Sequence, residues 1–334
     1  MADRGWIIIH SSLEDAHGSA VHDALVARGV STILLAQEEC FSSWAPAADH
    51  DGVVVHVRDR TLHSRDITAV YWRQDYSATA QQVTAATIMP PDVARFVAEQ
   101  RERHAYGCWH SLERSTPFVN SLTAHRTSQS KTFQHLLARK LGLRVPDVYT
   151  GADRNHAEAF ARALWATGRR CCTKNIEATR FMLDSQPRSR FTQLFEPQDL
   201  AQLETLHLCP MIFQEYIEKK WEYRVTIVGD QIFACRIDSQ SAGCETAIDW
   251  RHYDIPRTPH HACSLPPSIA DGLVALLRRL GLSFGAIDLV HSTSDDIFFL
   301  EVNSLGSWLW VEDLAGLPIT KAIADHLLQA STAE

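Results

Sequence analysis

Glu301 and Asn303 stand two positions apart at the end of an apolar run, in "IFFLEVN". Strand side chains alternate between faces, so a strand here puts the carboxylate and the amide on one side. The preceding apolar run, "FGAIDLVHS", carries Asp288. With Ser294–Asp295 as a two-residue hairpin loop, Asp288 sits directly opposite Glu301, and Asn303 follows one pleat further on. Two facing carboxylates repel each other unless a cation lies between them. Hard oxygen donors so arranged suit Mg2+, which takes one or two carboxylates and completes its shell with phosphate and water. Asp288, Glu301 and Asn303 are therefore candidate Mg2+ ligands beside a phosphate-bearing substrate. Taken alone, the same residues fit equally well as surface carboxylates or as partners of nearby arginines.

A second stretch, "IFQEYIEKKWEYRVTIVGDQIFACRID", sets Glu215, Glu222, Arg224, Arg236 and Asp238 among apolar strand residues. Charges repeated on strands that otherwise read as core point to a lined cleft rather than a solvated face. Carboxylates there can take the amino group and hydroxyls of a nucleotide, and arginines can grip phosphate or carboxylate with two parallel hydrogen bonds. Lys131 opens a helix and Lys174 ends a strand, each placed to meet phosphate oxygens. A single lysine so placed is more often a surface residue.

These residues need elements to hold them. In the first hundred residues "WIIIH" and "STILLA" flank a helical stretch closed by Gly29, and "GVVVHV" and "ITAVYW" follow as strands. This βαβ-like pattern predicts a small, partly parallel α/β domain. It lacks a GxGxxG turn, so it offers no dinucleotide site. A long helix follows Pro90–Pro91 towards Leu112. The Ser/Thr-rich "STPFVNSLTAHRTSQSK" marks the passage to a second domain. There a helix from Ser130 should turn Phe133, Leu136, Leu137 and Leu141 inward and stop at Gly142. "VPDVYTG" and "RRCCTKN" read as strands around a helix capped by Asn155, and residues 176–191 as a connection without periodicity. From Pro210 the chain returns to strands, with a hairpin through Gly229–Asp230, an amphipathic helix over "PSIADGLVALLRRLG" and a closing helix near 318–329.

Composition narrows the partners. A net charge of −8 over 334 residues argues against nucleic-acid and anionic-membrane surfaces, and no apolar run approaches the roughly 20 residues of a membrane helix. The eight cysteines form no CxxC pair, which predicts reduced thiols in a cytoplasmic protein. His260–His261 match no metal-ligand spacing.

Taken together, these residues resemble the ATP-grasp family. "QEYI" at 214–217 looks like its adenine hinge, and "GAIDLV" with "FFLEVN" looks like its metal-binding hairpin. Within that family the chain is most similar to the microviridin-type graspetide synthetases, through "VYWRQDY" at 70–76, "FACRIDSQ" at 233–240, "DWRHYD" at 249–254 and "EVNSLGSWLWVEDLAGLPI" at 301–319. The resemblance implies an α/β (α+β) chain in three parts. These are an N-terminal α/β pre-ATP-grasp domain (1–115), a central subdomain (116–206), and a C-terminal antiparallel-sheet subdomain with hinge and metal site (207–334). ATP would lie between the last two.

By the same resemblance Lys131 and Lys174 contact the phosphates, Glu215 and the backbone at Tyr216–Ile217 hold adenine, and Glu222 meets the ribose. Asp288, Glu301 and Asn303 coordinate Mg2+, while Arg224 and Arg236 face the transferred phosphate. One departure concerns residues 175–190, which hold no glycine where many relatives carry a glycine-bearing phosphate flap. The implied activity is ATP-dependent closure of ω-ester or ω-amide rings within a ribosomal precursor peptide that binds through a leader segment. A homodimer is expected on resemblance alone. Trp250, Trp308 and Trp310 are candidates for peptide contact or for packing beneath the cleft. Two other readings share the site: a ligase acting on free amino acids, and a nucleotide-binding regulator without turnover.

Overall fold

The computed structural model describes residues 5–58, 60–74, 89–176, 191–241 and 258–332, with the backbone alone at 180–183 and 186–189. Trp250 and the "DWRHYD" segment lie outside the described residues, as do Asp75, Tyr76 and, within the glycine-free stretch, residues 177–179, 184–185 and 190.

The N-terminal part begins with β1 (Trp6–Ser11), α1 (Ala16–Val26) and β2 (Thr32–Ala36). The Asp15 side chain caps α1 by accepting from His17 N, and Gly29 at φ +70° closes the turn that follows. β3 (Trp44–Asp49), β4 (Gly52–Val57) and β5 (Arg60–His63) then form a separate antiparallel sheet. "GVVVHV" is thus a strand, as expected, but not one of the parallel set. Its connections are hairpin-length, whereas a parallel crossover needs about a dozen residues or more. β6 (Ile67–Trp72) returns beside β1, and α2 (Pro91–Leu112) packs over the small sheet. β7 (Phe118–Val119), beyond the boundary expected at 115, completes the parallel sheet in the order β2-β1-β6-β7.

The short α3 (Leu122–Ser128) leads into α4 (Lys131–Lys140), capped by the Ser130 hydroxyl. Here the expected inward face holds only in part: Leu137 and Leu141 pack against the core beneath the last sheet. Phe133 and Leu136 are exposed, and Gln134, His135 and Ala138 are buried. The reason is the neighbour: α4 lies against a strand edge whose backbone groups need partners, and an amide and an imidazole supply them.

The central sheet uses β8 (Val148–Gly151), β9 (Arg170–Lys174), β12 (Gln193–Phe195) and β13 (Met211–Tyr216), in the order β12-β9-β13-β8. α5 (Arg154–Ala166) covers one face through Ala157, Ala161 and Leu164, which pack with Cys171 and Phe213. Its cap is Asp153, which accepts from His156 N at 2.8 Å, not the expected Asn155. Asp153 comes first in the chain and lies three residues before that N–H. Between β9 and β12 the backbone forms a two-stranded ladder, β10 (Arg180–Leu183) with β11 (Gln186–Ser189).

The last sheet is antiparallel and five-stranded, in the order β16-β15-β14-β17-β18. Its strands are β14 (Lys219–Val228), β15 (Gln231–Ile237), β16 (His260–Cys263), β17 (Phe284–Ser292) and β18 (Ile297–Asn303). α6 (Pro267–Leu280) buries Leu273, Leu276, Leu277 and Leu280 against Tyr223, Val225 and Ile227 on one face. The other face shares a core with the N-terminal sheet and with α8 (Ile319–Ala330), in which Ile7, Ile9, Phe284, Trp308 and Ile323 meet. α7 (Leu309–Ala315) links β18 to α8. Trp308 is completely buried there, so it packs beneath the cleft rather than facing a ligand. No helix among the described residues is long and apolar enough to cross a membrane.

Candidate active site

β18 brings the carboxylate and the amide to the expected face, by a different route. The loop of the hairpin holds three residues, 293–295, with Ser292 N bonded to Asp296 O and Asp295 at φ +66°. That shifts the register near the turn by one, so that His291 faces Ile297 and Leu289 faces Phe299. A bulge then leaves Leu300 without a partner across the ladder and restores Asp288 opposite Glu301. The His135 ring donates Nε2–H to the Leu300 carbonyl at 2.6 Å. Gln134 exchanges two hydrogen bonds with the Val302 backbone, 2.8 Å each. α4 thus fixes the bulged edge, and Lys131 at its first turn reaches Glu301.

The repulsion expected between the facing carboxylates is relieved by protein cations. Lys131 Nζ lies 2.9 Å from Glu301 Oε2, and Arg224 Nη1 donates to Asp288 Oδ1 at 2.9 Å. The Arg224 and Asp288 side chains are each only 7% exposed. Asn303 Oδ1 accepts from Leu305 N at 2.9 Å, which starts the turn after β18.

The central sheet closes the cleft from the other side. Lys174, Ile212 and Gln214 share one face by register and line it together with Lys131, Thr150 and Glu301. Lys174 Nζ contacts Gln214 Oε1 at 3.4 Å. Tyr216 continues on this face beneath the Arg170 guanidinium, 5.1 Å from its ring centre, and burial first, then Glu218, pushes its hydroxyl up to about 12. Ile217, half-buried, ends the hinge stretch.

Two predicted residues lie elsewhere. Glu215 alternates onto the α5 side of β13, where its carboxylate takes Asp147 N at 3.3 Å and lies 3.4 Å from Arg169. Only its backbone borders the hinge. Arg236 pairs in register with Tyr223, whereas Arg224 pairs with Cys235. Directly opposed residues share a face, so Arg236 projects from the α6 side of the sheet, away from Arg224. It stacks 4.0 Å from the Trp221 ring and bonds Asp238 at 2.6 Å. The expectation that both arginines face one phosphate therefore fails on strand register. Glu222 does share the Arg224 face, in a buried pair with Lys219 at 2.8 Å.

Sequence reasoning missed the N-terminal contribution. Arg73, 3% exposed, bonds Asp15 Oδ2 at 3.1 Å through Nε and reaches the Leu305 carbonyl at 2.8 Å. Its signal was a charged residue directly after the apolar strand "ITAVYW". Beside it, burial first and then Arg73 push His17 down to about 4, and the neutral ring accepts Leu309 N at 3.4 Å.

The donor set is chemically specific. Two carboxylates and an amide lie on one face of the β17–β18 hairpin, with Lys131, Lys174 and Arg224 around them. Buried Arg224 Nε has no hydrogen-bond partner among the described residues. Hard oxygens beside clustered cations fit Mg2+ bridged to a polyphosphate, the usual division of Mg2+ ligands between protein and phosphate.

No family model and no curated protein matches the chain. Solved structures do. The chain is similar to a RiPP-associated ATP-grasp ligase of Chryseobacterium gregarium, solved with ADP and leader and core peptides (TM-score 0.87, 23% identity, 97% of each chain covered). It is also similar to the macrocyclase MdnC of Microcystis aeruginosa MRC, bound with its precursor peptide MdnA (TM-score 0.83, 26% identity, 97% of this chain and 99% of that chain). A RimK domain ATP-grasp protein of Sphaerobacter thermophilus covers a similar share at a TM-score of 0.53 and 16% identity. The chain has the ATP-grasp fold, in the form found in these peptide-associated ligases.

Proposed function

We propose that the protein is an ATP-dependent peptide macrocyclase of graspetide type. It joins an Asp or Glu side chain of a ribosomal precursor peptide to a hydroxyl or amine of the same peptide, as an ω-ester or ω-amide. The observation that carries this reading is the Asp288–Glu301 pair, flanked by Lys131 and Arg224, within a fold shared over 97% of the chain with a macrocyclase bound to its precursor.

A carboxylate acylates poorly because its leaving group would be oxide. Phosphoryl transfer from ATP makes an acyl-phosphate, which a positioned hydroxyl or amine then displaces. Lys131 and Lys174 hold the phosphates, and Arg224 stabilises charge that develops on the transferred group. Asp288, Glu301 and Asn303 would hold Mg2+, whose contribution is to offset phosphate charge and align the donor. Lys131 exchanges its contact with Glu301 for phosphate oxygens. Gln214 and the backbone of Tyr216 and Ile217 border adenine, with Glu222 towards the ribose. The peptide partner carries a leader segment. A homodimer, a cytoplasmic location, and the absence of nucleic-acid and membrane partners complete the reading; the seven cysteines among the described residues are free thiols.

The test is mass spectrometry of a small acidic peptide encoded beside the gene, incubated with the protein, ATP and Mg2+. Loss of one water per bond without added amino acid supports the macrocyclase. An unchanged peptide, with ATP consumed only when a free amino acid is supplied, supports the intermolecular ligase instead.

A further inference from the structure

The turn after β18, residues 303–309, has its polar backbone taken up by side chains from distant elements. Asn120 Nδ2 donates to Ser304 O at 3.0 Å, and His125 Nδ1 contacts Ser304 Oγ at 2.6 Å. Arg73 Nη1 donates to Leu305 O at 2.8 Å and to Gly306 O at 3.4 Å. Arg224 Nη2 donates to Ser307 O at 3.0 Å. Two arginines from different domains therefore hold three consecutive carbonyls. Arg224 reaches this turn with one nitrogen and Asp288 with the other.

The turn has no slack. A Cβ at Gly306 would lie 2.3 Å from Ala286 Cβ, 2.8 Å from Arg224 Nη2 and 3.2 Å from Asn303 O. At Gly306 the turn therefore packs directly against Arg224 and the Asn303 carbonyl. Arg73 is itself fixed: its fork grips Asp15, which also accepts from Ser11 at 2.6 Å, and its guanidinium lies 5.1 Å from the Trp308 ring centre. Burial raises the Asp15 carboxyl, but Arg73 and the hydrogen bonds of Arg73 and Ser11 outweigh it and hold it below the usual range.

We infer that Arg73, anchored by Asp15, is a positioning residue for phosphoryl transfer: from the N-terminal domain it sets the 305–306 carbonyls, and through them the places of Asn303 and Arg224. The inference rests on the reading of Asn303 and Arg224 given above. Among the described residues Arg73 bonds Asp15 and the 305–306 carbonyls and does not line the cleft of Lys131 and Lys174, so its effect is on geometry and not on nucleotide contact. A 1 Å displacement at a reacting centre can cost about 100-fold in rate.

The experiment uses the full chain and the variants Arg73→Lys, Gly306→Ala and their combination. Arg73→Lys keeps a charge for Asp15 but loses the fork that spans both partners. Its thermal transition and its ADP affinity without Mg2+ should stay close to wild type. Hydrogen exchange at 303–309 should speed up, the Mg2+ needed for half-maximal ADP binding should rise about tenfold, and kcat should fall about 100-fold with little change in KM for ATP. The double variant should be no worse than the worse single one, because both act on one turn. Unchanged exchange and Mg2+ requirement, losses that follow thermal stability alone, or multiplying defects would each overturn the proposal. If the wild type turns over no ATP with any peptide, the macrocyclase reading fails, and exchange and Mg2+-dependent ADP binding still decide the role of Arg73.

Discussion

Arg224 and Asp288 lie directly opposite each other on β14 and β17, with Nη1 2.9 Å from Oδ1 and both side chains buried. The pair sits one strand from Glu301, so the acidic face of the hairpin is charge-balanced by the protein itself. A buried pair of this kind contributes little net stability, yet breaking it leaves a stranded charge. Its placement beside a cleft suits an arginine kept in position for an anion.

Arg224→Met should therefore lower stability by about 3–5 kcal/mol, because it breaks the buried ion pair with Asp288. Chemical denaturation measures this. A change under about 1 kcal/mol, the range of exposed pairs, would mean that water reaches Asp288.

Glu301→Ala and Asn303→Ala should abolish ATP turnover while sparing the fold. The Glu301 side chain is 20% exposed and its ion pair with Lys131 is partly solvated, so stability should change by about 1 kcal/mol or less. Normal turnover in either variant removes that residue from the metal site.

Lys174→Ala should weaken ATP binding with little effect on melting, since its half-buried Nζ makes a long contact, 3.4 Å, to Gln214. Calorimetric titration with ADP and Mg2+ reads the effect. An unchanged affinity would place the ammonium away from phosphate.

Acid should destabilise the protein through His17. Its pKa is near 4 in the fold against 6.5 in the unfolded chain. Between these values the unfolded chain binds a proton that the native state refuses, so stability present above 6.5 is lost as pH falls towards 4. The share from His17 is about 3 kcal/mol at most. Burial pushes His135, His260 and His326 the same way. The stability of His17→Gln, measured from pH 7 to 4, should fall less steeply than that of wild type; equal slopes would show that His17 is protonated freely.

What the sequence determined by itself was the local placement of groups. Alternation alone puts Glu301 and Asn303 on one strand face, and capping and periodicity place Lys131 at a helix start and Leu273, Leu276 and Leu280 on one stripe. The facing of Asp288 and Glu301 was also legible, although the turn assumed for it was one residue short and the bulge at Leu300 made up the difference. Register between strands, and which sheet face meets which neighbour, depend on contacts between residues far apart in the chain. Those contacts send Glu215 to the α5 side and Arg236 to the α6 side. They also turn Gln134 and His135 inward past Phe133 and Leu136, because a bulged strand edge needs hydrogen-bond partners more than α4 needs apolar cover. Arg73 shows the limit most plainly: its partners Leu305 and Gly306 lie more than two hundred positions away in sequence, and only folding brings the N-terminal sheet beneath the turn that carries Asn303.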